Sequence, residues 1–301
     1  MQKKMDISVV IGSFNQKDRL RRVLEGYVSQ KVTVQFEVIV VDSFSTDGTD
    51  DMISEFLTTP LQLNFIQRHN PSGKAEARNI GVKESLSPII IISDADMIPD
   101  SHFVQAHYDA HVNSPSVCCY EGLAYNLDAY EWPPNQLTQT QVPKKYKHGD
   151  SLDWYYFLTG NISFPKSIFT VENGFSLDFK NYGWEDLELG YRFKKRQIPF
   201  KYLTSAINYH YHVITEEEKI ERKYHMGKSA KIFIKKHPEL AFFLGMNPLS
   251  VFIRKRLSKS HVIYRMIAWL GNFNVSFLKS FSNWFFGEYN YLSGLLNLSK
   301  N

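Results

Sequence analysis

The chain is poor in cysteine: it has two, Cys118 and Cys119, and they are adjacent. Vicinal cysteines seldom bridge each other, so a disulfide framework is excluded and a reducing compartment is expected. Long apolar runs are missing too. No stretch approaches the ~18 residues that a spanning helix needs, and Met1 to Asp6 is polar where a signal core would be apolar. The expectation is a cytoplasmic protein, at most peripheral at the inner face of the cell membrane. No Gly-x-Gly-x-x-Gly follows the first strand-like segment and no Walker lysine loop occurs, which argues against nicotinamide dehydrogenases and P-loop nucleotidases. Internal repeats and low-complexity tracts are also lacking.

What remains is an ordinary globular composition over 301 residues, 43% hydrophobic and 22% charged, but rich in aromatics at 15%. That length suggests two domains, or one with an appendage. The net charge of +4 conceals an asymmetry: Arg222 to Arg265 holds eleven Lys/Arg and one acid, Glu239, while the rest holds 24 basic and 30 acidic residues. An acidic body with a basic tail region suggests a polyanionic partner for the tail.

Ile7 to Gly12, Phe36 to Val41, Leu61 to Gln67 and Pro88 to Ile92 read as strands, apolar almost throughout. Lys17 to Ser29, Thr49 to Leu57 and Lys74 to Ser85 read as the helices between them. Such alternation means a parallel sheet covered on both faces. Ligands of such sheets bind beyond the carboxyl ends of the strands, which singles out Ser13-Phe14-Asn15, Asp42 to Gly48, and Asp94-Ala95-Asp96. Farther on, Asp128 to Asp150 carries three prolines and reads as a long loop of the lid or binding kind. Helical periodicity returns over Glu185 to Lys195 and Glu216 to Lys236.

Asp94 and Asp96, one residue apart where a strand gives way to a loop, can both reach one divalent cation shared with diphosphate oxygens. Turn chemistry is the bland alternative. Gly12-Ser13-Phe14-Asn15 offers an aromatic face with hydroxyl and amide groups, a set that suits a nucleobase, or else a core ring and a helix cap. Asp42 ends the second strand, where its carboxylate can accept the N3–H of a uracil. Lys74 and Arg78, four apart, share a helix face and can meet a nucleotide and its phosphates, or only solvent.

Taken in order, residues 8–15 (Ser-Val-Val-Ile-Gly-Ser-Phe-Asn), 40–49, 73–79 (Gly-Lys-Ala-Glu-Ala-Arg-Asn) and 93–96 (Ser-Asp-Ala-Asp) resemble family 2 glycosyltransferases, of the α/β nucleotide-sugar-binding GT-A fold. Gly160-Asn161-Ile162-Ser163-Phe164, Asn173-Gly174-Phe175 and Gly183-Trp184-Glu185-Asp186 extend the resemblance to roughly Asp6 to His212, and the stretch from Asn173 also looks like the C-terminal segment of galactosyltransferases. Departures are Gly-Ser-Phe-Asn at the first strand end, where Pro-Ser/Thr-Tyr-Asn is usual, and Asp42-Ser43-Phe44-Ser45 in place of Asp-Asp-Gly-Ser. The Gln-x-x-Arg-Trp motif is missing, which disfavours a cellulose- or hyaluronan-type synthase.

The resemblance implies a catalytic domain over 1–214, with a nucleotide-binding half at about 1–100 and an acceptor half at about 101–214, and a helical region over 215–301. It implies metal-dependent, inverting transfer of a sugar from a nucleotide sugar, a UDP-sugar being favoured, to a hydroxyl of a saccharide or lipid-linked acceptor. Cell-surface polysaccharide or glycolipid synthesis is the implied setting. Ser13, Phe14, Asp42, Lys74, Arg78 and Asp94 would hold the nucleotide. Asp94, Asp96, His210 and His212 would hold the cation, Asp96 directly, and such a donor set favours Mn²⁺ over Mg²⁺. Asp186 resembles the catalytic base, while Trp184, Glu185, Gly160 and Asn161 would meet acceptor or sugar. Two competitors are a catalytically inactive sugar- or lipid-binding protein of the same fold and a nucleotidyltransferase. The latter is disfavoured because no Gly-rich phosphate loop follows the first strand.

The tail adds nine aromatics between Tyr264 and Tyr289. Trp269, Phe273, Phe277 and Phe281 recur at i+4 and are expected to form one helical stripe behind the basic residues Arg254, Lys255, Arg256 and Lys259. That pattern suits an anionic membrane surface, with packing on the body or a second subunit as the alternative. No motif supports nucleic acid.

Overall fold

The computed structural model describes residues 4–70, 73–127, 132–133, 137–139, 142–180, 182–212, 214–257, 265–267, 269 and 275–297. Its strands are β1 (Ile7–Ser13), β2 (Phe36–Asp42), β3 (Leu63–Gln67), β4 (Ile89–Asp94), β5 (Met97–Pro99), β6 (Cys119–Leu127), β7 (Leu137–Gln139), β8 (Ser151–Leu152), β9 (Asn161–Pro165) and β10 (Phe200–His210). The helices are α1 (Lys17–Val28), α2 (Thr49–Phe56), α3 (Lys74–Glu84), α4 (Phe103–Val112), α5 (Lys166–Val171), α6 (Glu185–Lys195), α7 (Glu216–Lys236), α8 (Pro248–Leu257) and α9 (Ser276–Leu295). Contacts divide the chain into two compact units, Met1–Leu177 with Asp186–Val213, and Asp178–Glu185 with Ile214–Asn301.

In the first unit a ten-stranded sheet runs β3-β2-β1-β4-β9-β6-β10-β5, with β7 on β6 and β8 on β10. The strands β1, β2 and β4 are buried through their centres, as their unbroken apolar runs require. Helix α1 covers them with Leu20, Val23, Leu24 and Tyr27, spaced to make one face. Helix α3 sits so close to β1 that a Cβ on Gly81 would overlap Val10. The expected parallel order holds for β3-β2-β1-β4. Beyond β4 the sheet is mixed: β9 is antiparallel to both β4 and β6. A helical crossover would be needed to return the chain parallel, and the residues before β9 form only a short 3₁₀ turn at Trp154–Tyr156.

The second unit is helical. Thr215 and Glu218 cap α7 reciprocally, hydroxyl to backbone and carboxylate to backbone, at 3.2 and 3.1 Å. Helices α7 and α9 cross with their backbones in contact. A side chain at Gly227 would strike Tyr291, and one at Gly294 would strike Tyr224. The expected stripe from Trp269 to Phe281 is not one helix. Val275 is extended and α9 starts after it, so Trp269 precedes the break. Phe273, Tyr264 and Lys259 lie outside the described residues, as do Asp128 and Pro134 of the long loop. Among the described residues no helix is long and apolar enough to cross a membrane.

Candidate active site at the carboxyl ends of the parallel strands

Register sets the site. Ser13 lies opposite Asp42, and Gly12 opposite Asp94, so three loops leave the sheet side by side. The first two are knitted together. Asn15 N–H donates to the Ser45 hydroxyl at 2.8 Å, Thr46 N–H to the Asn15 side-chain oxygen at 2.9 Å, and Lys17 N–H to Asp47 at 2.9 Å. Asn15 and Phe44 take left-handed backbone angles, φ 49° and 68°, a conformation that costs a residue with a side chain and recurs at functional sites. These loops expose two rings, Phe14 at 51% and Phe44 at 46%. The Ser13 hydroxyl is buried beside them with no hydrogen-bond partner. Asp42 is turned inward: its carboxylate accepts from Ser45 N–H and Ser45 Oγ at 2.8 and 2.6 Å.

At the end of β4 the two aspartates part company. Asp94 accepts from Arg78 at 2.8 Å and lies 4.0 Å from Lys74 Nζ. Arg78 is almost wholly buried, its guanidinium 5.7 Å from the Phe175 ring. Asn79 exchanges two 2.8 Å hydrogen bonds with the Phe175 backbone, which binds the 73–79 and 173–175 segments into one structure. Asp96 instead faces two imidazoles, His210 Nε2 and His212 Nδ1, each 3.4 Å from its Oδ2. Antiparallel pairing of β5 with β10, His210 opposite Met97, brings them together, and the Asp96 carbonyl accepts Tyr211 N–H at 2.7 Å. Burial alone would raise the Asp96 carboxyl, but hydrogen bonds with His210 and His212, then the charges of His210 and Lys74, hold it well below the usual carboxylate range.

The ligand atoms of Asp96, His210 and His212 all lie within 4.8 Å of one another. One carboxylate oxygen and two imidazole nitrogens converging at that spacing fit a first-row divalent cation. Among the described residues this cluster does not include Asp94, whose oxygens are directed to Arg78 and Lys74. Asp96 thus groups with the two histidines, and Asp94 with Arg78 and Lys74.

Asp186 stands in the first turn of α6, its Oδ1 accepting from Leu187 N–H at 2.8 Å. Glu121, buried on β6, feels its charge. Burial pushes the Glu121 carboxyl well above its usual range, a hydrogen bond from Leu158 N–H opposes this, and the charge of Asp186 adds to the rise. Trp184 and Glu185 belong to the second unit. There Trp184 donates its indole N–H to the Met226 carbonyl at 2.9 Å and packs against Phe233 and Tyr291, and Glu185 is buried. Asn161 is also buried. Its amide nitrogen serves Leu123, Ala206 and Asn208, its oxygen lies 2.9 Å from His107 Nε2, and Asn208 in turn donates to the Gly160 carbonyl at 2.7 Å. Asn161 thereby fixes the Gly160 turn from beneath.

Sequence reading assigned no role to Phe44, Asn126, Glu121 or His107. Of these, Phe44 carried a signal, as a departure from Asp-Asp-Gly-Ser in a loop already singled out.

Residues 8–173 match the model of glycosyl transferase family 2, and residues 145–216 match that described as the N-terminal domain of galactosyltransferase. The chain belongs to glycosyl transferase family 2. It is 26% identical over 271 residues to validoxylamine A glucosyltransferase of Streptomyces hygroscopicus subsp. jinggangensis, covering 78% of this chain and 61% of that one. It is 24% identical to hyaluronan synthase of Pasteurella multocida over 72% of this chain and 26% of that protein. The chain spans about three fifths or less of the length of these two relatives. Among solved structures, the mannosyltransferase PcManGT from Pyrobaculum calidifontis in complex with GDP-Man and Mn²⁺ superposes with a TM-score of 0.62 at 15% identity, covering 99% of this chain and 89% of that one. The fold is GT-A.

Proposed function

We propose that the protein is a metal-dependent, inverting glycosyltransferase. It moves a sugar from a nucleoside diphosphate donor to a hydroxyl of a saccharide or lipid-linked acceptor in surface polysaccharide or glycolipid synthesis. The observation that carries this reading is the pair of adjacent centres, Asp96–His210–His212 beside Asp94–Arg78–Lys74. Asp96, His210 and His212 would hold a divalent cation, Mn²⁺ in preference to Mg²⁺, which when bound neutralises charge on the leaving diphosphate. Lys74 adds a second positive group on the nucleotide side, and Arg78 keeps Asp94 oriented.

Phe14 and Phe44 are exposed and held by knitted loops, which supports a stacked nucleobase. Ser13 offers a hydroxyl without a partner, and Asp42 shapes the base pocket through Ser45. A uridine base fits the small polar groups here. Asp186 takes the proton from the acceptor hydroxyl as its oxygen bonds to the anomeric carbon and the bond to the diphosphate breaks. The first unit is the catalytic domain. In the second, α9 exposes Phe277, Phe281 and Trp284 on one face, and α8 exposes Lys255 and Arg256. Aromatic and basic side chains of this kind support peripheral contact with an anionic membrane surface.

Release of nucleotide from a panel of UDP- and GDP-sugars, with Mn²⁺ and with EDTA, tests the reading. Turnover of one donor that needs Mn²⁺ supports it; no turnover of any donor under either condition contradicts it.

A further inference from the structure

A cavity of about 360 Å³ opens on the opposite face of β10 from the histidine cluster, lined by Trp132, Tyr209, Arg22, Glu25, Ser29 and Ser101 among others. Side chains alternate along a strand, so Tyr209 and His210 point to opposite faces. In the ladder Tyr209 pairs with Tyr125 and Ile98, whereas His210 pairs with Asn126 and Met97. The cavity therefore shares its strand with the candidate metal centre but is separate from it.

Two rings, Trp132 and Tyr209, form its wall, and Tyr125 supports the second. Trp132 meets Tyr209 edge to face at 5.5 Å, and Tyr209 stacks on Tyr125 at 6.1 Å with 21° between planes. Trp132 is still 40% exposed, so a supported indole surface faces outward. The floor is apolar, made by the buried Ile98 and Pro99. The rim carries polar groups, and its one cation already has a partner. Arg22 pairs with Glu25 at 3.1 Å, and Asp100 lies 3.8 Å from His102. Ser29 and Ser101 add hydroxyls.

An unpaired cation to attract phosphate is not found among these lining groups, and a purely apolar ligand would leave the rim unsatisfied. An aromatic face edged by hydrogen-bond donors and acceptors matches a pyranose, which presents C–H groups on its face and hydroxyls around its edge. Pockets of this size suit small ligands with a few convergent polar groups. We propose that this cavity is a saccharide-binding subsite that grips an uncharged sugar unit of the acceptor, apart from the point of transfer. Its role in acceptor binding rests on the glycosyltransferase reading; sugar binding itself does not.

The full chain is applied to an array of immobilised neutral and sulfated oligosaccharides in EDTA without nucleotide, and donor hydrolysis is measured in parallel with Mn²⁺. The expected result is binding to neutral glycans with no gain from sulfation. Trp132→Ala weakens it by about tenfold or more, as loss of an aromatic anchor does, and Trp132→Phe restores most of it. Donor hydrolysis stays unchanged in both variants. Absence of binding to every neutral glycan overturns the subsite, as does binding untouched by Trp132→Ala. Equal loss of donor hydrolysis in Trp132→Ala overturns it too, because the ring would then serve the fold or the donor site. Glycan binding through Trp132 in a chain that hydrolyses no donor upholds the subsite and removes the transferase reading instead.

Discussion

The side-chain oxygen of Asn126 lies 3.1 Å from Nδ1 of His210. An amide oxygen only accepts, so Nδ1 donates to it and Nε2 is the ring atom left facing Asp96, 3.4 Å away. There Nε2 donates to the carboxylate while it carries a proton and is free to ligate a cation that takes the proton's place. Asn126 is thus the outer partner that fixes tautomer and ring orientation, a role whose loss typically weakens metal affinity. Asn126→Ala is expected to weaken Mn²⁺ binding by about 10–100-fold, read by isothermal titration, with little change in melting temperature. An unchanged affinity would mean that His210 is oriented by other means.

The two aspartates should fail differently. Asp96→Ala removes a ligand and is expected to abolish Mn²⁺ binding in the folded protein. Asp94→Ala leaves those ligands in place but removes a charge-assisted hydrogen bond from the buried Arg78 guanidinium, which costs roughly 2 kcal/mol of stability. Thermal denaturation and Mn²⁺ titration of the two variants, side by side, check the division. Equal metal loss in both would restore the shared-ion arrangement.

Replacement of Asp186 by Asn keeps the shape and removes the proton acceptor. The rate of transfer should fall by about 10²–10⁴-fold, the usual span for a general base, with donor affinity preserved. Single-turnover kinetics alongside donor titration separate these. A variant of near-normal rate would move the base elsewhere.

Acid should loosen the core beneath the site. His107 and His111 share the Ser163 hydroxyl at 2.8 and 2.9 Å. Burial lowers His107 to about 4, against a raising hydrogen bond with Asn161, and lowers His111 to about 3, with the neighbouring His107 charge adding. Both folded values lie below the unfolded value of about 6.5, so the unfolded chain takes up protons first. Stability is full above about pH 6.5 and is lost as pH falls toward 4 and then 3, on the order of 2 kcal/mol per histidine by pH 5. Urea titrations at pH 7.5, 6 and 5 measure this, and His107→Gln should flatten the slope. A flat profile in the wild type would show that these rings are not held neutral.

The legible part of the fold is the part whose physics is local. Strands β1, β2 and β4 are covered on both faces, so each is an unbroken apolar run, and Asp42, Asp94 and Asp96 stand out as the first charges after those runs. The mixed half was obscure because β6, β9 and β10 meet across long loops, and nothing near Asn161 in sequence announces His107 or Asn208. Asn126 and Glu121 escaped for the same reason: each is one polar residue in a strand, given meaning by a partner some 65 to 84 positions away. The aromatic spacing in the tail implied one helix, but Val275 breaks it, and spacing alone carries no information about backbone angle.

The central claim is that Asp96, His210 and His212 hold the cation that meets the donor diphosphate. Pulsed electron paramagnetic resonance of the full chain with Mn²⁺ and UDP tests it most directly, because imidazole nitrogen bound to Mn²⁺ gives a resolved ¹⁴N coupling. The account predicts coupling to two histidine nitrogens, reduced to one in His210→Ala and in His212→Ala, together with ³¹P coupling from the nucleotide. Bound Mn²⁺·UDP with no histidine coupling, or with coupling untouched in both variants, would contradict it.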